Sequence, residues 1–106
     1  MGAQSSSGRL GSLMGEMYAY GEWPRMHHKY DLSNIYRAGS TLDRINKFLG
    51  EIGGALARAG RLGDDLLYHD AYTLFEEMQE TNTFNKAEFW FNFFDGMNEA
   101  WRKKAA

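Results

Sequence analysis

A chain of 106 residues with 12 basic and 14 acidic side chains has a formal net charge of −2, enough length for one domain with a modest core and none of the basic excess that sequence-independent nucleic-acid binding requires. Cysteine is absent, which removes disulfides, thiol catalysis and thiolate metal sites together. Valine is absent too, with only three isoleucines and four threonines; so few β-branched residues argue against a sheet and for an all-α bundle of three to four helices, with a long central heptad-patterned helix and a flexible N-terminal arm.

The first twelve residues, MGAQSSSGRLGS, are small, polar and rich in glycine and serine. Such composition offers little apolar area to offset ordering entropy, so residues 1–12 are expected as a flexible arm and residues 13–106 as a single helical domain. The arm carries Met-Gly-x-x-x-Ser, with Gly2 as a possible lipidation site and Ser6 at the required position. Over about six residues it resembles the N-termini of picornavirus-type capsid proteins and other myristoylated viral polypeptides, which implies acylation of Gly2. The membrane is a partner only in that case, and a single acyl chain binds one weakly without a basic patch. No apolar run reaches the length of a membrane span, so a soluble protein is expected, cytoplasmic or virion-associated.

Leu13, Met14, Met17 and Tyr18 predict a first short helix that ends before Gly21–Pro24, because the residue preceding proline is pushed out of the helical region. The polar stretch from Arg25 to Asp31, with His27 and His28, reads as a connector or a short helix. From Ile35 the apolar residues fall at Ile35, Ala38, Leu42, Ile45, Leu49, Ile52, Leu56 and Ala59, alternating steps of three and four. This is the period of a helix-packing seam, covered by another helix of the same chain or of a second copy. Its start is open between Ser33 and Ser40, and the unchanged phase across Gly39 favours one continuous or slightly kinked helix. Gly50, Gly53 and Gly54 lie along its second half as a shallow groove that bulky Trp or Phe side chains could fill, or as a hinge.

Gly60 and Gly63 end the seam, and Asp64 is the expected cap of a third helix over Asp65–Gln79. Its inward face is Leu67, Ala71, Leu74, Phe75 and Met78, suited to meet the seam; His69, Asp70, Thr73, Glu76 and Glu77 face out. Glu76, Glu77 and Glu80 oppose the helix dipole at about 0.3 to 1 kcal/mol each, so they are expected solvated or beside basic groups such as Lys86. The last helix has the best-marked start: Asn85 as cap, Glu88 three residues on, and Phe84 with Phe89 as a hydrophobic staple. Phe89, Trp90, Phe93, Phe94, Met97, Ala100 and Trp101 then share one broad stripe, from which Phe91 falls away.

No set of residues forces a chemistry. His27, His28, His69, Asp64, Asp65 and Asp70 lack the helical spacing that converges ligands on one metal ion, and no phosphate-binding loop or activated serine motif occurs. A non-enzymatic interaction or assembly protein is therefore expected, of the kind found among virion components, phage-encoded inhibitors and small adaptors, without metal or cofactor. Its partner is another protein or a second copy. The expected anchors are Trp90, Phe91, Phe94 and Trp101, with Gly50, Gly53 and Gly54 as a second contact.

Overall fold

The computed structural model describes residues 5–23, 41–61 and 66–105, with the side chain of Ala105 not included. Among the described residues the protein is all-α: α1 (Ser6–Tyr20), α2 (Leu42–Arg58), α3 (Leu67–Thr81) and α4 (Lys86–Ala105) form a bundle without strands.

Helix α1 corrects the expected arm. Residues Ser6 to Ser12 form its first two turns, and Ser7, Gly8, Leu10 and Gly11 are buried. The Gly8 N–H donates to the Oγ of Ser5, 3.1 Å away, which caps the helix. These residues are poor helix formers, so packing rather than propensity holds them. Ser7, Gly11, Gly15 and Ala19 recur every fourth residue, and all are buried; against this flat stripe α4 runs parallel at backbone contact. A β-carbon on Gly11 would lie 2.2 Å from the Phe89 carbonyl oxygen, one on Gly15 2.0 Å from that of Phe93, and one on Gly96 2.6 Å from that of Ser12.

Parallel helices place like dipole ends together, and side chains answer at both ends. The Ser5 hydroxyl at the N-terminus of α1 donates to the Glu88 carboxylate of α4. At the other end the Lys104 ammonium donates to the Ala19 carbonyl, 2.9 Å away, occupying a C-terminal acceptor that helix geometry leaves open. Helix α1 contacts all three other helices. Helix α1 therefore carries more of the contact between helices than the seam-bearing helix does.

Helix α2 begins at Leu42. Thr41 has extended backbone (φ −84°, ψ 163°), and its hydroxyl accepts the Arg44 N–H at 3.3 Å, so the expected continuity from Ser33 ends there; Ile35, Ala38, Gly39 and Ser40 lie outside the described residues. The helix passes unbroken through Gly50, Gly53 and Gly54. It ends where the Gly60 N–H donates to the Ala57 carbonyl (3.0 Å) and the Arg61 N–H to that of Leu56 (2.9 Å). That pair of bonds is a Schellman motif, and glycine suits its positive φ of 72°. Ile45, Leu49, Ile52 and Leu56 are buried in the core of this one chain. Just after α1, the Glu22 N–H donates to the Ala55 carbonyl at 2.9 Å, tying the chain onto α2.

Helix α3 starts two residues later than expected. Its cap is Leu66, exposed and in the left-handed region at φ 59°, with no side-chain capping bond; Asp64 and Asp65 lie outside the described residues. Ala71, Leu74, Phe75 and Met78 are buried, Leu67 is half-buried, and Glu76, Glu77 and Glu80 are exposed. Helix α4 starts as its sequence signature requires: the Glu88 N–H donates to Asn85 Oδ1 at 3.0 Å and the Phe84 and Phe89 rings lie 5.6 Å apart. The Asn85 N–H, which a capping box would give to the Glu88 side chain, instead donates to Ser7 Oγ at 2.8 Å. The Ser7 hydroxyl donates onward to the Met78 sulfur at 3.4 Å. One buried serine thus ties α1 to α3 and to the head of α4.

Candidate functional site

Helix α4 has two faces. Phe89, Phe93, Met97 and Ala100 are buried in the core, with Phe93 5.6 Å from the Phe48 ring of α2 and 5.8 Å from Tyr18 of α1. At 100 degrees per residue Phe91 stands nearly opposite them, and it is 77% exposed. Trp101 is 46% and Phe94 37% exposed. Trp90, expected as a fourth anchor, is only 2% exposed and is corrected to a core residue. Its ring meets Phe89 edge-on at 5.0 Å and Phe93 at 5.2 Å, and stacks with Phe48 at 6.4 Å.

One outward ring, Phe94, rests on this buried layer. Phe94 packs against Trp90 at 5.8 Å and meets Phe93 edge-on at 5.6 Å. Such contacts restrict its rotamers before any partner arrives, so little side-chain entropy is left to lose on binding.

Sequence reasoning missed the order within this outward face. Ala87, Phe91, Phe94, Asn98 and Trp101 are all exposed and alternate by four and three residues, the same period as the seam of α2. The signal is present in the residues: Phe91, an exception to one broad stripe, is a member of a second, narrower one. The charges flanking this stripe are ordered too: Glu88, Asp95 and Arg102 follow it at intervals of seven, all exposed.

The expected glycine groove does not take the α4 aromatics. Gly53 is buried beneath Tyr68 of α3, whose ring would lie 2.7 Å from a β-carbon there; among the described residues nothing stands within 4 Å of a β-carbon on Gly50, and one on Gly54 would meet only the Arg58 guanidinium at 3.6 Å. The residue over the groove is therefore a tyrosine from α3. Burial, and then the neighbouring Tyr72, raise the Tyr68 phenol above its ordinary value of 10.0, the two rings lying 5.9 Å apart.

Of the other candidates, Gly2, His27, His28, Asp64 and Asp65 lie outside the described residues. His69 and Asp70 are exposed on α3. Among the described residues no group of three His, Asp or Glu side chains is placed to hold a metal ion, and no helix is long and apolar enough to cross a membrane. Comparison with protein-family models, curated proteins and solved structures finds no match to this chain.

Proposed function

We propose that the protein is a non-enzymatic interaction or assembly protein whose contact surface is the outer face of α4. The observation that carries this is the exposure of Phe91, Phe94 and Trp101 on one helix face, two of them more than two-fifths open to solvent. Aromatic side chains are enriched at the centres of protein interfaces, where large rigid rings gain contact area at little conformational cost. Scattered single apolar residues on a surface need no explanation, but three aromatic rings within eleven residues of one helix form a patch. A protein partner accounts for it, with no nucleic acid, metal or cofactor in the role.

The test places a photoreactive phenylalanine analogue at position 91 and, as control, at position 76 on the exposed face of α3, in protein expressed in its host. Position 91 is expected to give discrete protein adducts that disappear when Trp101→Ala is added, while circular dichroism shows unchanged helical content. Equal adducts from both positions, or none from 91, would overturn the assignment.

A further inference from the structure

We propose that the occupant of this face is a second copy of the chain, packed with its α4 antiparallel to the first. The proposal rests on the interaction role above and names its partner. The exposed series Ala87, Phe91, Phe94, Asn98 and Trp101 keeps a three-four alternation over four turns, the period at which one helix seats its side chains between those of another. On one flank of the series Trp90 and Met97 are turned into the chain's own core. Only the other flank, Glu88, Asp95 and Arg102, is exposed to a neighbour, Glu88 while one of its carboxylate oxygens accepts the Ser5 hydroxyl.

That flank fixes the direction. It is acidic at its N-terminal end, with Glu88 and Asp95, and basic at its C-terminal end, with Arg102. A parallel pair would set this charged flank of each copy against the Trp90–Met97 flank of the other, which is turned into its own core, and would leave Glu88 and Arg102 without a charge opposite them. Turning one helix about a twofold axis near Asp95 sets Glu88 against Arg102 of the other copy, twice, and brings Phe91 within two residues of the level of Trp101, twice. Antiparallel alignment also opposes the helix dipoles. A twofold contact of this kind is self-complementary and closes at two subunits. Its weak point is Asp95, which meets its own symmetry mate.

The area sets the strength. With about 150 to 250 Å² per aromatic side chain, the three rings expose roughly 350 Å² in each copy. A pair of copies thus brings about 700 Å² of ring surface to an interface that needs about 1,200 Å² in total, so neighbouring polar residues must supply the remainder.

Sedimentation equilibrium of the purified chain at a series of concentrations reads the monomer–dimer balance. The intact protein is expected to pass from monomer to dimer in the micromolar range, and Phe91→Ala to weaken dimerisation by more than about tenfold. Glu88→Arg and Arg102→Glu should each weaken it by about tenfold, since each sets two like charges face to face twice. Mixing these two variants should restore dimers in a one-to-one ratio, because each then supplies the charge that the other lacks; a folding defect in either could not produce this rescue. Asp95→Asn should tighten the dimer. A chain that stays monomeric throughout, or a dimer indifferent to Phe91→Ala, overturns the proposal. So does a mixture that fails to recover. A monomer that still gives a photo-adduct with a different host protein from position 91 would sink self-association alone and leave the interaction role standing.

Discussion

Gly15 and Gly50 are both interior helical glycines, yet replacement by alanine should act in opposite directions. At Gly15 the new methyl meets the Phe93 carbonyl at 2.0 Å; backbone cannot rotate away, so overpacking of about 1 to 3 kcal/mol or more outweighs the gain in helix propensity of up to about 1 kcal/mol. At Gly50 the space is open, and only the gain remains. Urea midpoints should fall for Gly15→Ala and rise for Gly50→Ala, and a rise in both would contradict the close approach of α1 and α4. The same contrast shows why α1 was illegible at its start. Composition estimates buried area from a residue's own side chain, whereas Ser7, Gly11 and Gly15 contribute by letting Phe89 and Phe93 come close. Tyr68 carries the pH dependence at this scale. Its raised folded value means that the native state holds the phenolic proton more tightly, so its contribution is fully present below about pH 10 and is lost as pH rises from there through the folded value. Stability against urea should therefore fall more steeply above about pH 10 in the intact protein than in Tyr68→Phe; equal slopes would remove Tyr68 as the cause.

At the scale of the element, what could be read in advance was what is local in sequence. Asn85, Glu88, Phe84 and Phe89 lie within six consecutive residues, and the Asn85 side-chain cap and the Phe84–Phe89 contact form as that spacing requires. The seam of α2 was legible for the same reason, since its core positions Ile45, Leu49, Ile52 and Leu56 repeat within one helix. The bond between Asn85 and Ser7 joins residues 78 apart in sequence, and no spacing rule reaches that far. The boundaries of α2 and α3 differ from expectation because Thr41, with extended backbone, caps α2 where continuity was expected and because Leu66 holds a left-handed conformation that leucine rarely adopts. The local and remote parts of the α4 cap can be separated by experiment. Asn85→Ala should cost about 0.5 to 2 kcal/mol through the lost cap. Ser7→Ala, far from α4 in sequence, should cost about 1 to 3 kcal/mol because it leaves the Asn85 N–H without its acceptor. In a double variant the two costs should fall short of their sum; simple additivity in chemical denaturation would mean that Ser7 does not act on the cap.

For the whole molecule, the decisive contact joins the two ends of the described chain. Helix α1 supplies the surface on which α4 lies, and α2 and α3 both touch α1, so the core cannot close until the first helix and the last have met. Contacts this distant in sequence make loop closure a condition of stability rather than a consequence of local helix formation. A dispensable arm over residues 1–12 and a structural first helix then differ in one outcome. Deleting residues 1–12 removes the fully buried Leu10, the Ser7 bonds to Asn85 and Met78, the Ser5 cap beside Glu88 and half of the small-residue stripe, and it uncovers Phe89 on α4. The losses fall on one connected contact, and their combined cost approaches the whole stability of a domain of this size, about 5 to 15 kcal/mol. The truncated chain should therefore lose its cooperative thermal transition. Leu10→Ala, which leaves the chain length and the backbone bonds in place, should show a graded form of the same defect, about 2 to 5 kcal/mol by denaturant titration. A truncated protein that melts at the same temperature as the intact one would mean that α4 is held without α1, and would return residues 1–12 to the role of an arm.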